Sequence, residues 1–237
     1  MPFTLVTFNV WFDRSNLVER IQQIVGIIAS LGPDAVCLQE VTPEIFLMLD
    51  SLLSKMYNFS KTSIEQAYDT LILSQREISR SVTVPFSETR MGRSFHLVEL
   101  VSGEERVVVG TFHLESVFRP PERGLKHRQL AESLRYCDRN YGDCPVVVAG
   151  DTNLPGANSL PEGWFDAWVR SGEPPGERYT YDGRSNGNVK GRFCNRLDRA
   201  FARGVSGVER FHLLGRELIP GCDVCPSDHY GIYCQFS

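Results

Sequence analysis

Apolar residues along this chain recur in two different rhythms, and the switches between them mark out the elements. Phe3–Val10 is a mostly apolar run of β-type residues, which predicts a buried strand ending at Asn9. The spacing then changes. Leu17, Ile21, Ile24, Ile28 and Leu31 recur every three or four residues and predict a helix. Asn16 followed by Glu19 offers a capping pattern at its start, and Gly32-Pro33 stops it. Asp34–Glu40 predicts a short second strand and Pro43–Leu53 a second helix.

Beyond residue 57 strand-like runs dominate: Asp69–Ser74, Ser81–Pro85, Ser94–Val101 and Arg106–His113. Val101-Ser102-Gly103-Glu104-Glu105 joins the last two as a hairpin. A helix over about Gly124–Asn140 leads into an apolar strand, Pro145–Gly150. Residues 154–195 are rich in Gly, Pro and Asn and read as loop, with a short helical piece near Trp164–Arg170. Strands return at Arg196–Ala202, Val208–Leu214 and Asp228–Phe236. Two sheets stacked face to face, with helices outside, are the simplest arrangement that covers both strand groups. No linker-like stretch divides residues 1–237, so one domain is expected.

Composition narrows the class. The 237 residues are 42% hydrophobic and 23% charged, as in a globular soluble chain. Apolar stretches such as Val107–Val109 and Val146–Ala149 fall far short of the ~20 residues that cross a bilayer. The opening residues lack a basic segment and a small-residue cleavage site, so they are expected to be a strand and not a leader. Seven irregularly spaced cysteines argue against a disulfide framework and for a reducing, intracellular compartment. Cys222-Asp-Val-Cys225 has no second pair at zinc-ligand spacing and is expected to be a loop pair. The net charge of −4 does not mark a nucleic-acid binder, but local clusters carry more information. Arg119, Arg123, Lys126, Arg128, Arg135 and Arg139 form one cluster; Arg184, Lys190, Arg192, Arg196 and Arg199 form another. Such runs are usually solvated faces, and either can also contact phosphates.

Candidate chemistry collects at strand ends. The first strand ends in the Asn9 amide and the second in the Glu40 carboxylate. Another ends in the His113 imidazole, and Val147–Asn153 ends in Asp151 and Asn153. The final strand is predicted to open with Ser227-Asp228-His229. Rigid strands that pass into loops hold such groups firmly and leave them accessible. Each is ordinary alone: a lone Glu is usually solvated, a lone His structural, and Asp-Thr-Asn an Asx turn. Together they supply what metal-assisted phosphoryl chemistry requires. Oxygen ligands such as Glu40 suit magnesium, a carboxylate activates water, an amide orients it and histidines stabilise charge on phosphorus.

Asn9, Leu38-Gln39-Glu40, His113, Gly150-Asp151-Thr152-Asn153, Arg196-Leu197-Asp198-Arg199 and Ser227-Asp228-His229 stand in the order of the endonuclease/exonuclease/phosphatase superfamily, which the chain resembles over nearly its whole length. Within it, Thr111-Phe112-His113-Leu114-Glu115-Ser116, Gly150–Leu154 and Pro226–Gly231 are similar to its tyrosyl-DNA phosphodiesterase branch. Pro155 departs from that branch, which carries an arginine there, and Tyr181 stands in place of a tryptophan. The resemblance implies an α+β fold, a four-layered α/β/β/α sandwich of the DNase I-like type. It also implies hydrolysis of 5′-phosphotyrosyl–DNA linkages, with DNA bearing a 5′-tyrosyl-linked peptide, or a protein-linked RNA, as substrate.

The resemblance assigns roles as well. Glu40 and Asp228 are expected to bind Mg²⁺, with Mn²⁺ substituting. Asp151 activates water, Asn9 and Asn153 hold it and the phosphate, and His113 and His229 stabilise charge, His229 being oriented by Asp198. Ser116, Tyr181 and Arg93 are expected substrate contacts. A monomer in the nucleus or cytoplasm, with no membrane association, is expected. Other hydrolases of the fold (apurinic endonuclease, deadenylase, phosphoinositide phosphatase, sphingomyelinase) and a non-catalytic binding module stand as alternatives at this point.

Overall fold

The computed structural model describes residues 2–116, 123–156 and 159–237. In chain order the elements begin with β1 (Phe3–Asn9), α1 (Leu17–Leu31), β2 (Ala35–Val41), α2 (Pro43–Leu53), β3 (Asn58–Phe59) and β4 (Asp69–Ser74). There follow β5 (Glu77–Pro85), β6 (Ser94–Ser102), β7 (Glu105–His113), α3 (Arg123–Asn140) and β8 (Val146–Asp151). The last third holds β9 (Phe165–Asp166), α4 (Ala167–Arg170), a 3₁₀ turn (Pro175–Glu177), β10 (Tyr181–Asp182), β11 (Cys194–Asn195), β12 (Asp198–Arg203), β13 (Val208–Leu214) and β14 (Gly231–Phe236). One six-stranded sheet runs β13-β14-β1-β2-β4-β3 and the other β5-β6-β7-β8-β12-β9; β10 and β11 form a separate hairpin.

Strand alternation explains the layers. In β1, Phe3 and Leu5 face the opposing sheet while Val6 and Phe8 face the helices. In β7 and β8, Val107, Val109, Val147 and Ala149 point into the same inter-sheet core, and Val108, Val146 and Val148 point outward. The outer face of the first sheet is covered by Ile21, Ile24 and Ile28 of α1 and Ile45 and Leu49 of α2. That of the second is covered by Leu130, Leu134 and Cys137 of α3. The result is the α/β/β/α sandwich. Gly150 in β8 has a steric reason to be glycine: a Cβ there would lie 2.2 Å from the Phe112 carbonyl oxygen on the neighbouring strand.

Several boundaries differ from the sequence reading. Asn16 sits in the left-handed region (φ 47°) and makes no side-chain cap, so the capping pattern with Glu19 is not used. Gly32 does close α1, its N–H donating to the Ile28 carbonyl. The last strand starts at Gly231, so Ser227-Asp228-His229 lies in the preceding loop; the Ser227 hydroxyl donates to the Asn9 carbonyl (2.7 Å) instead of joining the sheet. Strand β12 starts at Asp198, not Arg196. Trp164 and Trp168 are buried as expected, but on opposite faces, because a two-residue strand precedes the short helix. All seven cysteines are free, and Cys222 and Cys225 occupy a loop.

One buried charge fastens the site end of the sandwich. Arg20 of α1 has no solvent exposure, and its guanidinium donates to the carbonyls of Val10, Trp11, Asp13, Ser15 and Pro226. These five acceptors match the five N–H donors of the group. They tie the loop after β1 to the loop that carries His229. Arg20→Met would leave these carbonyls buried without donors. Urea denaturation is expected to show a loss above ~3 kcal/mol, and a loss under ~1 kcal/mol would mean that water replaces the guanidinium freely.

Candidate active site

The inner faces of the central strands turn polar as they approach one end of the sandwich. β1 reads Leu5-Thr7-Asn9, β2 Ala35-Cys37-Gln39, β7 Val109-Thr111-His113, and β8 Val147-Ala149-Asp151 at alternate positions. Parallel pairing of β1 with β2 sets Asn9 beside Gln39, and parallel pairing of β7 with β8 sets His113 beside Asp151. Antiparallel β12 brings Asp198 opposite Asp151. Gln39 crosses between the sheets: its amide donates to Thr7 Oγ1 (3.1 Å) and Thr111 Oγ1 (3.0 Å). One register thus delivers polar groups from both sheets to one place.

Glu40 is out of step with this alternation, since its neighbour Gln39 already faces inward. The β2–β4 register shifts between Leu38 and Val41, and Glu40 takes φ 62°. A bulge of this kind re-aims a side chain, and a left-handed carboxylic residue is a strained conformation held by its surroundings. Its carboxylate accepts from Asn9 Nδ2 (3.3 Å) and from the Phe12 backbone N–H (3.1 Å). The same Asn9 Nδ2 donates to Asp151 Oδ2 (3.1 Å), and Asn9 Oδ1 accepts from the Trp11 N–H. Asn153, also left-handed (φ 51°), donates its N–H to Asp151 Oδ1 (2.8 Å) and its amide to the Leu114 carbonyl.

Two buried histidines flank Asp151 in opposite electrical states. His229 Nδ1 lies 2.7 Å from Asp198 Oδ2 and its Nε2 3.9 Å from Asp151. Burial alone would lower its pKa, but Asp198 and Asp151 outweigh burial and hold it well above the ordinary value. His113 Nε2 lies 3.4 Å from Asp151 and 3.9 Å from Glu40. Burial pushes His113 down to about 3; Asp151 opposes this, and the Arg93 guanidinium, 2.9 Å from Nδ1, adds to it. Burial likewise pushes the Glu40 carboxyl up to about 7, against the pull of His229, and raises Asp228.

These groups open into a cleft of about 670 Å³ that includes Glu40, Arg93, His113, Ser116, Asp151, Asn153, Tyr181, Asp228 and His229 in its walls. Asn9 and Asp198 stand just behind it, held by the hydrogen bonds given above. Ser116 Oγ contacts Met91 Sδ, and the Tyr181 ring lies 5.0 Å from that of His229. The sequence reading gave no role to two aromatic wall residues, Phe12 and Tyr68, whose rings stack at 5.1 Å. Phe193 (66% exposed) and Lys190 also line the cleft.

Three members of the second basic cluster are tied up in ion pairs within the chain. Arg199 is buried against Asp166 and the Leu154 and Gly156 carbonyls, and Arg196 pairs with Asp166. Arg184 pairs with Asp182, Arg192 is exposed, and Lys190 is a member in the cleft lining. In the first cluster Lys126 donates to the Asn153 carbonyl and Arg128 pairs with Glu88. Arg119 and the Arg123 side chain lie outside the described residues.

Residues 6–229 match the family model described as endonuclease/exonuclease/phosphatase family. The chain belongs to this family. Tyrosyl-DNA phosphodiesterase 2 of Homo sapiens is 32% identical over 251 residues, covering 98% of this chain and 67% of its own length. The Rattus norvegicus protein is 31% identical over 248 residues, covering 99% and 66%. The chain thus spans about two thirds of the length of these curated relatives. A crystal structure of D. rerio TDP2 complexed with single-strand DNA product superposes with a TM-score of 0.91 at 29% identity, over 100% of this chain and 99% of that one.

The endonuclease/exonuclease/phosphatase family is metal-dependent, and this site fits a divalent cation. Glu40, Asp151 and Asp228 place three carboxylates in one cleft wall, and burial disfavours charge on Glu40 and Asp228 unless a cation offsets it. The tightest cluster of candidate ligand atoms, within 4.8 Å of one another, is Asp151, Asp198 and His229, not the predicted pair Glu40 and Asp228. In that cluster Asp198 and His229 already occupy each other at 2.7 Å. Glu40 and Asp228 have the more accessible oxygens, of the hard donor type that suits magnesium or manganese.

The raised Glu40 carboxyl stabilises the metal-free fold fully below its unfolded value of 4.5, and that contribution is lost as pH rises through about 7. Glu40→Gln has no such proton to lose. Thermal melts without metal are expected to show Glu40→Gln gaining on wild type between pH 5 and 8, by at most ~3 kcal/mol. Added divalent cation should stabilise wild type and not the variant. A gap independent of pH would mean that Glu40 is not desolvated.

Proposed function

We propose that this chain is a phosphodiesterase that hydrolyses 5′-phosphotyrosyl–DNA linkages with Mg²⁺, and with Mn²⁺ as a substitute. The observation that carries the reading is the convergence of Glu40, Asp151, Asn153, His113 and His229 on one cleft, in a chain about 30% identical to named tyrosyl-DNA phosphodiesterases. The aromatic and cationic lining of that cleft (Tyr181, Phe193 and Lys190) suits a nucleotide strand, through stacking and phosphate pairing.

Asp151 takes a proton from water as it attacks phosphorus. Asn9 and the Asn153 N–H hold that carboxylate in place. Asp198 orients His229 through Nδ1, so that Nε2 faces the cleft and donates to the developing phosphoryl charge. His113 offers a second donor, its Nε2 3.4 Å from the same Asp151 oxygen. Glu40 and Asp228 would hold the divalent cation, which would supply Lewis-acid neutralisation of the phosphate charge. The P–O bond to the tyrosine breaks as the water oxygen bonds to phosphorus. A phenolate leaves more easily than an alkoxide because its conjugate acid has a pKa of roughly 10. DNA keeps the 5′-phosphate.

Asp151→Asn tests the assignment of the base. Turnover of a 5′-tyrosyl oligonucleotide in magnesium is expected to fall ~10²–10⁴-fold, and a fall of threefold or less would overturn it. Wild type should prefer this substrate to abasic duplex and to poly(A) RNA in parallel assays; faster cleavage of either would assign the site to another branch of the family.

A further inference from the structure

We propose that Arg93 is a positioning residue that fixes His113 as the tautomer carrying its proton on Nε2. This rests on the hydrolase reading only for its catalytic consequence. The tautomer itself follows from hydrogen-bond chemistry. Arg93 Nη1 lies 2.9 Å from His113 Nδ1. A guanidinium has donors and no acceptor, so the contact forms only if Nδ1 presents its lone pair. An Nδ1–H would set donor against donor. The proton therefore sits on Nε2, and what Nε2 faces agrees: Asp151 Oδ2 at 3.4 Å and Glu40 Oε1 at 3.9 Å are both acceptors. His229 is set the opposite way round, its Nδ1 facing a carboxylate at 2.7 Å. Both rings thus turn Nε2 to the cleft as a donor, one through a cation behind it and the other through an anion.

The support behind Arg93 is built in. Its side chain is buried and packs over the Tyr68 ring at 5.0 Å. Its backbone N–H donates to Thr89 Oγ1 (2.8 Å), and that hydroxyl donates to Glu115 Oε1 (2.6 Å). Glu115 Oε1 also accepts from the N–H groups of Arg90 (2.8 Å) and Met91 (3.2 Å). Glu115 is fully buried and stands two residues beyond His113. Its own N–H donates to Gln129 Oε1, and Gln129 Nε2 returns to the Glu88 carbonyl. The carboxylate beyond β7 thus clamps the β5–β6 connection that carries Arg93 beneath the histidine of β7. This gives Glu115 a task that water activation and metal binding leave unfilled.

The test has two arms. In the full-length chain with ¹⁵N-labelled histidine, the His113 signals, identified by their loss in His113→Gln, are expected to show a lone-pair Nδ1 and a protonated Nε2. A protonated Nδ1 overturns the proposal. The second arm is a double-mutant cycle on the 5′-tyrosyl oligonucleotide. Arg93→Met is expected to lower kcat roughly 10- to 100-fold, the range for loss of such supporting partners, with KM changed under about threefold. In the His113→Gln background the amide donates from nearly the same place without a tautomer to select. There Arg93→Met should cost under about threefold. Equal losses in both backgrounds, or a loss carried by KM, would mean that Arg93 acts on the substrate directly and would overturn the positioning role. If wild type does not cleave this substrate at all, the reaction assignment fails, while the nitrogen signals still decide the tautomer.

Discussion

The site depends on one amide. Asn9 Nδ2 is shared between Glu40 of one sheet and Asp151 of the other, at 3.3 and 3.1 Å. Two carboxylates brought this close in a desolvated place repel, and only donors or cations make the arrangement stable. Asn9 supplies a neutral donor at the junction of both sheets. The Trp11 N–H fixes its other face, so the amide cannot flip without losing all three contacts. Register does the rest. Parallel pairs β1–β2 and β7–β8 end at the same level, and the Ser227 bond to the Asn9 carbonyl holds the His229 loop over them.

Charge in the cleft is sorted by partners and not by depth. His113 and His229 are both buried, yet one is driven down to about 3 and the other well above its ordinary value. Burial lowers both, and what stands behind each ring then separates them: the Arg93 guanidinium adds to burial at His113, whereas the Asp198 carboxylate, with Asp151, overcomes it at His229. A neutral donor and a cationic donor beside Asp151 suit a reaction in which one negative charge moves from water to phosphate oxygens and then to a leaving phenolate. The raised Glu40 carboxyl belongs to the same design, since a cation is the natural counter-charge for a buried acid that points into an open cleft.

Much of this was legible in the sequence because alternation is visible there. Helix α2 and strands β4 and β13 lie where the apolar rhythm puts them, and the inner-face series Leu5-Thr7-Asn9 and Val109-Thr111-His113 can be read off directly. Other features left no such trace. Glu40 reaches the site by breaking alternation at a bulge, and no local residue pattern announces a left-handed glutamate. Arg20 looks like any helix arginine, because all its acceptors are backbone carbonyls. Arg196 and Arg199 looked like a basic strip because their partner, Asp166, is distant in sequence. Tyr68 falls outside every motif, and only the fold brings its ring onto that of Phe12.

Crystals grown with Mn²⁺ and a 5′-phosphorylated oligonucleotide address the convergence most directly. The anomalous signal of the metal should fall beside the Glu40 carboxylate, with the terminal phosphate between the metal and the Nε2 atoms of His113 and His229. A metal bound away from Glu40, or a phosphate that touches neither histidine, would contradict the account.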